Sequence, residues 1–385
     1  MHKITLRFKL IIIILKIIIN GISIKRLRVT PSIVLIYINP LTTSVNAIIA
    51  WVIYSIAVFF NILYSYFTSF LRGVGAIAES NKAATISKLS QLLLTFVMFV
   101  LGYGLIGVTI SYLVSGLIIR ITSRYYFFRY DNVKEILNKR DAEVNLGNCI
   151  EMFRSVWHNA SKEGLIMISN YLSTQANTLI CSSVLGLTST GFYGLAIQIT
   201  TLISNIASIP FSSYQVSLQE DAVTNNMERS RKTFSAVMVA FIGAYLVLAV
   251  FTFVSIPIIE IIKPNMIFDK WMFSTMLILF FIHQFYHLNS SFISTRNTLP
   301  YTKAFLFSSL ISVCLSLFLS KYTNIGLWGL IISPLIISVS YNAWKWPTVA
   351  LSYLGEISMC EFIQLGWNTL NDIVKNKSFR KKKTL

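Results

Sequence analysis

The sequence predicts an all-α, polytopic transmembrane bundle of about 10–11 helices in two pseudo-repeated lobes. Three observations lead there. The 385 residues are 55% hydrophobic and only 12% charged, with a mean hydropathy of +0.65, whereas soluble domains carry about 25% charged residues. The apolar residues fall in long charge-free runs, each able to supply the roughly 20 residues that a helix needs to cross the hydrocarbon core. Those runs are continuous rather than alternating, which argues against a membrane β-barrel, and an open sheet edge has no hydrogen-bond partners in lipid. Disorder, a disulfide scaffold and a collagen-like fibre are excluded by the same composition.

Taken in order, Met1 to Ile24 holds basic residues and then the isoleucine-rich stretch Leu10–Ile19, interrupted by Lys16. No small-residue cleavage site follows, so residues 1–28 are expected to form an interfacial or degenerate first helix. Val29–Leu71 has no charge and is long enough for two crossings, turning near Pro40. Ala84–Phe128 supplies two more, with the turn at Gly102-Tyr103-Gly104. Gly164–Gln219 is again charge-free and breaks near Thr188-Ser189-Thr190-Gly191. Thr233–Ile259, Trp271–Thr295, Tyr301–Ser320 and Tyr322–Trp344 complete the set. The expected organisation is a first lobe over 29–128, a cytoplasmic loop over 129–163, a second lobe over 164–346, and an amphipathic, basic tail over 347–385.

The formal net charge of +18 comes from 33 Lys+Arg against 15 Asp+Glu. These cations lie between and beside the apolar runs, so they report membrane orientation and not nucleic-acid binding. Arg120, Arg124, Arg129, Lys134, Lys139, Arg140, Arg154 and Lys162 crowd the segment between Ile119 and Gly164, and Lys375–Lys383 the tail. With ten alternating spans they share one side, while the other side receives only Lys263, Lys270 and Lys321. The positive-inside rule therefore puts the central loop and the C-terminus in the cytoplasm. Cys149, Cys181, Cys314 and Cys360 are widely spaced with no C-x-x-C pattern, and are read as buried free thiols.

Two stretches recur in order. Ser80-Asn81-Lys82, Lys88, an apolar helix and Gly104-Leu105-Ile106-Gly107 precede a helix ending in Arg120 and the aromatics Tyr125–Phe128. Arg296-Asn297-Thr298, Lys303, an apolar helix and Gly326-Leu327-Trp328-Gly329 precede one ending in Trp344-Lys345-Trp346. Each reads as an Asn turn entering a helical hairpin closed by G-L-x-G, where glycine permits positive φ and close helix approach. Repeats across a central loop are a transporter pattern.

With Leu71-Arg72-Gly73-Val74-Gly75, Ala160-Ser161-Lys162-Glu163-Gly164-Leu165, Leu185-Gly186-Leu187 and Gly191-Phe192-Tyr193-Gly194-Leu195 added, the chain resembles the polysaccharide-biosynthesis flippase family. These are oligosaccharide exporters of the MATE-like superfamily, and the O-antigen flippases resemble it most, over roughly Trp51 to Trp346. The resemblance implies a bacterial inner-membrane transporter. It would flip polyprenyl-diphosphate-linked repeat units by alternating access between two lobes, with no cofactor. Its implied partners are the lipid-linked oligosaccharide, membrane lipids, and an O-antigen polymerase and chain-length regulator. Such families have about twelve helices in two equal lobes, so the four expected before the central loop imply a shortened first lobe.

The residues themselves offer little to an enzyme. No Asp or Glu falls inside the ten expected spans, the outer loops are short, and no phosphate-binding Gly-rich loop is present. A MATE-like antiporter of small organic cations is the first alternative, although such a site is expected to carry an embedded carboxylate. A membrane enzyme of glycan assembly and a non-functional remnant are the others. His283 and His287 form an i, i+4 pair that suits either metal or proton relay, or else hydrogen bonds to neighbouring helices; no third ligand stands nearby. Asn170, Thr174, Asn177 and Cys181 share one helical face, as do Gln198, Thr201, Asn205 and Ser208. Amides are costly in lipid, so these stripes either line a wet cavity suited to sugar hydroxyls or join helices. Arg72, Arg120, Lys162 and Arg296 stand at the cytoplasmic ends of spans, where they either meet a diphosphate or snorkel to headgroups.

Overall fold

The structure is a computed structural model that describes residues 45–73, 76–129, 146–262, 269–355 and 358–382. All regular structure among them is helical. The expected helix at 10–24 and the turn at Pro40 lie outside the described residues, as does much of the central loop. By compactness the chain divides into one unit over Met1–Glu143 and a second over Val144–Leu385.

The first unit holds α1 (Val45–Tyr64), α2 (Tyr66–Gly73), α3 (Ile77–Val100) and α4 (Gly104–Arg129). Helix α4 packs against the other three. Apart from Phe67 and Leu71 of α2, the buried positions are mostly small, among them Ala57, Ala83, Ser87, Gly107, Ser111, Ser115 and Ser123. Small residues let helix backbones approach where lipid supplies no hydrophobic driving force. Ser87 donates to the Ser115 carbonyl at 2.7 Å and Asn61 to the Tyr112 carbonyl at 3.4 Å. The large side chains, among them Leu92, Leu93, Phe96 and Phe99, face outward. A bilayer accommodates that band and water does not.

The second unit begins with α5 (Leu146–Thr174), α6 (Ala176–Val184), α7 (Leu187–Ala207) and α8 (Ile209–Val223). It continues with α9 (Met227–Ile262), α10 (Lys270–Ser294), α11 (Thr302–Tyr322), α12 (Leu327–Ile337), a π-helical turn (Ser338–Asn342), α13 (Ala343–Tyr353) and α14 (Met359–Lys382). Its core is aromatic: Phe234 of α9 stacks on Phe292 of α10 at 4.1 Å, and Phe273, Met276, Leu330 and Ile331 are fully buried elsewhere in the same core.

Seven helices among the described residues are long and apolar enough to cross a membrane, and an eighth if α7 and α8, bent by 45°, form one span. The chain is thus a multi-pass membrane protein. Ten spans are expected from the sequence, and the difference has identifiable causes. The first of the two crossings in Val29–Leu71 falls largely outside the described residues. The stretch after the central loop is interrupted at Gln175, leaving α5 and α6 as separate pieces. Thr174 Oγ1 donates back to the Asn170 carbonyl at 2.8 Å, a bond that bends helices. Ser208 and Pro210 divide α7 from α8 because proline lacks the N–H that a continuing helix requires. Helix α5 starts at Leu146, well inside the expected loop over 129–163.

The two hairpins match in detail. Gly104 (φ +49°) and Gly326 (φ +58°) take the left-handed backbone that opens α4 and α12. Three residues on, a Cβ on Gly107 would stand 2.6 Å from Met98 Cβ, and one on Gly329 would stand 3.0 Å from Leu319 Cβ. The expected Asn turns do not match. Asn297 occupies a turn with φ +57°, whereas Asn81 lies inside α3. The chain has already turned by then, since Ala76 N–H returns to the Leu71 carbonyl at 2.9 Å. Cys181 is buried, but Cys314 and Cys360 are exposed, contrary to the expectation of buried thiols.

Replacing Gly107 by Val should cost about 1–3 kcal/mol through overpacking. Gly164→Ala, on a helix with nothing within 4 Å of the added Cβ, should leave stability unchanged or raise it. Thermal midpoints of the purified protein in detergent test the contrast.

Candidate functional site

The polar residues of the second unit gather at two places, one closed and one open. The closed one is a cavity of about 30 Å³ where α5, α10, α11, α12 and the π-helical turn meet. Asn170 and Thr174 line it from α5, His283 and His287 from α10, Ser308 and Ser312 from α11, and Asn342 from the π-helical turn. A buried water needs roughly 10–15 Å³ by this measure, so the cavity has room for about two. The two imidazoles lie 4.4 Å apart, and His287 leans on Phe305 at 4.9 Å. Among the described residues His283 Nε2 and Ser312 Oγ are buried without a hydrogen-bond partner, as water-bonded groups are. Asn342 donates to Ser308 Oγ at 3.1 Å and accepts from Trp346 Nε1 at 2.9 Å. No third His, Cys, Asp or Glu joins the histidines among the described residues, so the metal reading lacks ligands.

The open place is a groove of about 410 Å³ between α7 and the α5–α6 break. Gln198, Thr201 and Asn205 line it from α7; Gln175 and Thr178 face them, with Gly194, Ile197 and Leu202 between. None of these residues is charged. Gln175, Gln198 and Asn205 are exposed. The size suits a ligand pocket.

The two stripes read from the sequence therefore do not line one space. Gln198, Thr201 and Asn205 line the groove, whereas Asn170 and Thr174 turn to the closed cavity. Asn177 does neither: it is buried, and its Nδ2 donates to the Leu330 carbonyl at 3.0 Å. Leu330 lies four residues before Pro334, inside α12. The missing proline N–H frees that carbonyl, and Asn177 supplies the donor. Ser208 is also committed, accepting from Gln284 Nε2 at 2.8 Å.

The cationic candidates are held by their own units. In the first, Arg120 lies 4.4 Å over the Tyr64 ring and Arg72 is exposed in the last turn of α2. In the second, Arg296 donates to the Tyr353 carbonyl at 2.9 Å and lies 4.9 Å over its ring. Arg231 donates to the Leu354 carbonyl beside it. Two arginines thus cap the end of α13, where unpaired carbonyls concentrate negative charge. Lys162 is half-buried on α5, next to Glu163. Burial, and then the charge of Glu163, push the Tyr301 hydroxyl up to about 12 against a hydrogen bond with Ser294, so Tyr301 stays neutral at physiological pH.

One residue escapes the sequence reading. Asp221 looks like part of a polar loop after Gln219, yet α8 runs on to Val223 and leaves its side chain 1% exposed. Arg229, 3.4 Å away, balances its charge. A polar pair straddling a helix end does not disturb an apolar run, so periodicity gives no sign of it.

The sequence matches no protein-family model and no curated protein. The backbone, however, superposes on an inward-facing multidrug resistance MATE family transporter of the MOP superfamily. The TM-score is 0.58 at 14% identity, over 83% of this chain and 76% of that one. A crystal structure of MATE in the bent conformation gives a TM-score of 0.54 at 17% identity, over 83% and 69%. The fold is that of the MATE transporters. At such identities the likeness lies in the backbone, and no residue's role transfers with it.

Asn177→Ala should cost about 1–2 kcal/mol, because the Leu330 carbonyl loses its donor. In a Pro334→Ala background, where residue 334 regains an N–H, the same change should cost less. A double-mutant cycle on thermal stability measures the coupling.

Proposed function

We propose that the chain is a membrane transporter that flips polyprenyl-diphosphate-linked O-antigen or polysaccharide repeat units across the bacterial inner membrane, with its C-terminus in the cytoplasm. It carries its cargo by alternating access and makes or breaks no covalent bond. The observation that carries this reading is the groove on α7. Its amides and hydroxyls, free of charge, suit the neutral, hydroxyl-rich face of a glycan. The MATE-like backbone supports transport as the mode of action. The resemblance of the G-L-x-G hairpins and neighbouring motifs to oligosaccharide flippases supports the cargo class. Arg72 and Arg120 of the first unit, and separately Lys162 and Arg296 of the second, are proposed as contacts for the diphosphate, since arginine offers paired donors to phosphate oxygens. The polymerase and chain-length regulator remain the proposed protein partners.

A second reading, antiport of small organic cations, draws on the description of one similar structure as a multidrug resistance transporter. Among the described residues Asp221 is the buried carboxylate open to such a site, and Arg229 stands 3.4 Å from it. This favours the glycan reading.

In reconstituted vesicles, Gln198→Ala combined with Asn205→Ala should slow flipping of a fluorescent polyprenyl-diphosphate oligosaccharide by about thirtyfold, since two lost hydrogen bonds at about 1 kcal/mol each come to about 2 kcal/mol. The thermal midpoint should not change, because both side chains are exposed. Export of ethidium by the wild type, with no movement of the lipid-linked glycan, would overturn the proposal in favour of cation antiport.

A further inference from the structure

The last helix carries three faces where a water-facing surface helix carries two. On one face, Phe362 packs its ring 5.5 Å from Phe234 of α9 and is buried. One turn later, Gly366 lies so close to α9 that an added Cβ would stand 2.4 Å from the Ser235 carbonyl oxygen. Residues 362 and 366 thus fix α14 against α9. On a second face, at i, i+4 and i+8, Met359, Ile363 and Trp367 are exposed, Trp367 at 59%. On the third lie Glu361, Gln364, Asn368, Asn371 and Lys375, all exposed. Helix α14 is not among the candidate spans. A helix with a packed face, an apolar face and a polar face fits the boundary between lipid and water. Tryptophan favours that boundary.

Charge identifies what covers the apolar face. From Lys375 to Lys383 the sequence holds Lys375, Lys377, Arg380, Lys381, Lys382 and Lys383 with no acid. A soluble apolar partner does not need that run, whereas an anionic membrane surface attracts it. The start of the same unit repeats the pattern. On α5, Phe153 stacks on Trp157 at 5.2 Å, both exposed, beside Arg154. Both helices converge on one turn: Asn159 of α5 donates to Asn297 at 2.8 Å, and Arg296 binds the end of α13 from which α14 departs.

We infer that α14 and its basic end form a docking surface for anionic phospholipid headgroups, with Ile363 and Trp367 seated in the lipid beneath them. The surface is separate from the α7 groove and does not depend on the cargo.

The test is amide hydrogen exchange on the full chain in nanodiscs of phosphatidylcholine alone, or of phosphatidylcholine mixed with phosphatidylglycerol. Exchange across α14 should slow by about tenfold or more when phosphatidylglycerol is present, and high salt should reverse the effect. A variant with Lys377, Arg380, Lys381, Lys382 and Lys383 changed to Gln should keep the wild-type thermal midpoint and lose that difference. Trp367→Ser should weaken protection in the mixed lipid while leaving α9 unaffected. Equal exchange in both lipids would overturn the inference, leaving α9 alone as the anchor. The same holds if the Gln variant keeps the lipid dependence, or if inorganic phosphate in phosphatidylcholine reproduces it.

Discussion

In hydrocarbon there is no water to complete a hydrogen bond, so every backbone N–H and C=O must find its partner inside the protein. Continuous helices meet this requirement without help. The informative positions in this chain are those where a helix stops, bends or loses a donor. At Pro334 the Leu330 carbonyl is released, and Asn177 from a different helix satisfies it. At the end of α13 the released carbonyls of Tyr353 and Leu354 are met by Arg296 and Arg231. At Ser208, between α7 and α8, the hydroxyl accepts from Gln284. At Pro334 and at the end of α13 a polar side chain from elsewhere in the same unit thus repairs the backbone, and at Ser208 one ties the break to α10.

That requirement explains what could be read in the sequence and what could not. The hairpins were legible, because a glycine at positive φ followed three residues later by a glycine at a close contact leaves a short pattern, G-L-x-G, in both units. The apolar runs placed α4, α10 and α11 within about two residues, since length against hydrocarbon thickness is a strict constraint, whereas α3 and α9 begin earlier than their runs, on polar and charged residues that hydropathy does not register. The breaks were less legible. Gln175 and its neighbours form an unremarkable polar cluster until the Thr174 back-bond is seen. Asn81 and Asn297 look equivalent as letters, yet one lies in a helix and the other in a turn. What separates them is where the preceding segment has already reversed, which is not a local property.

The fate of the amide stripes follows the same logic. Asn170, Asn177, Gln198 and Asn205 are alike in chemistry and helical spacing, and periodicity predicts a shared face for each set. It does not predict what that face meets. Asn177 is consumed because α12 carries a proline at the matching height. Asn170 faces two histidines and a few hydroxyls around a space for about two waters. On α7, by contrast, Gln198 and Asn205 are exposed and line the groove.

Amides that stay open in a membrane protein carry a cost that structure alone does not offset, because they gain neither a helix contact nor a filled core. The groove differs from the rest of the unit in this respect. Elsewhere polar side chains are drawn inward to repair the backbone or to hold a little water. Here Gln175, Gln198 and Asn205 point three amides at one neutral space, each able both to donate and to accept. A cation has little to gain there, since no carboxylate lines the groove and Asp221 is held by Arg229. A surface of hydroxyls has more to gain, because every sugar hydroxyl is likewise a donor and an acceptor. The proposed cargo, neutral and polar at one end and anionic at the other, would set its sugars against these amides and leave its phosphates to the cations proposed above.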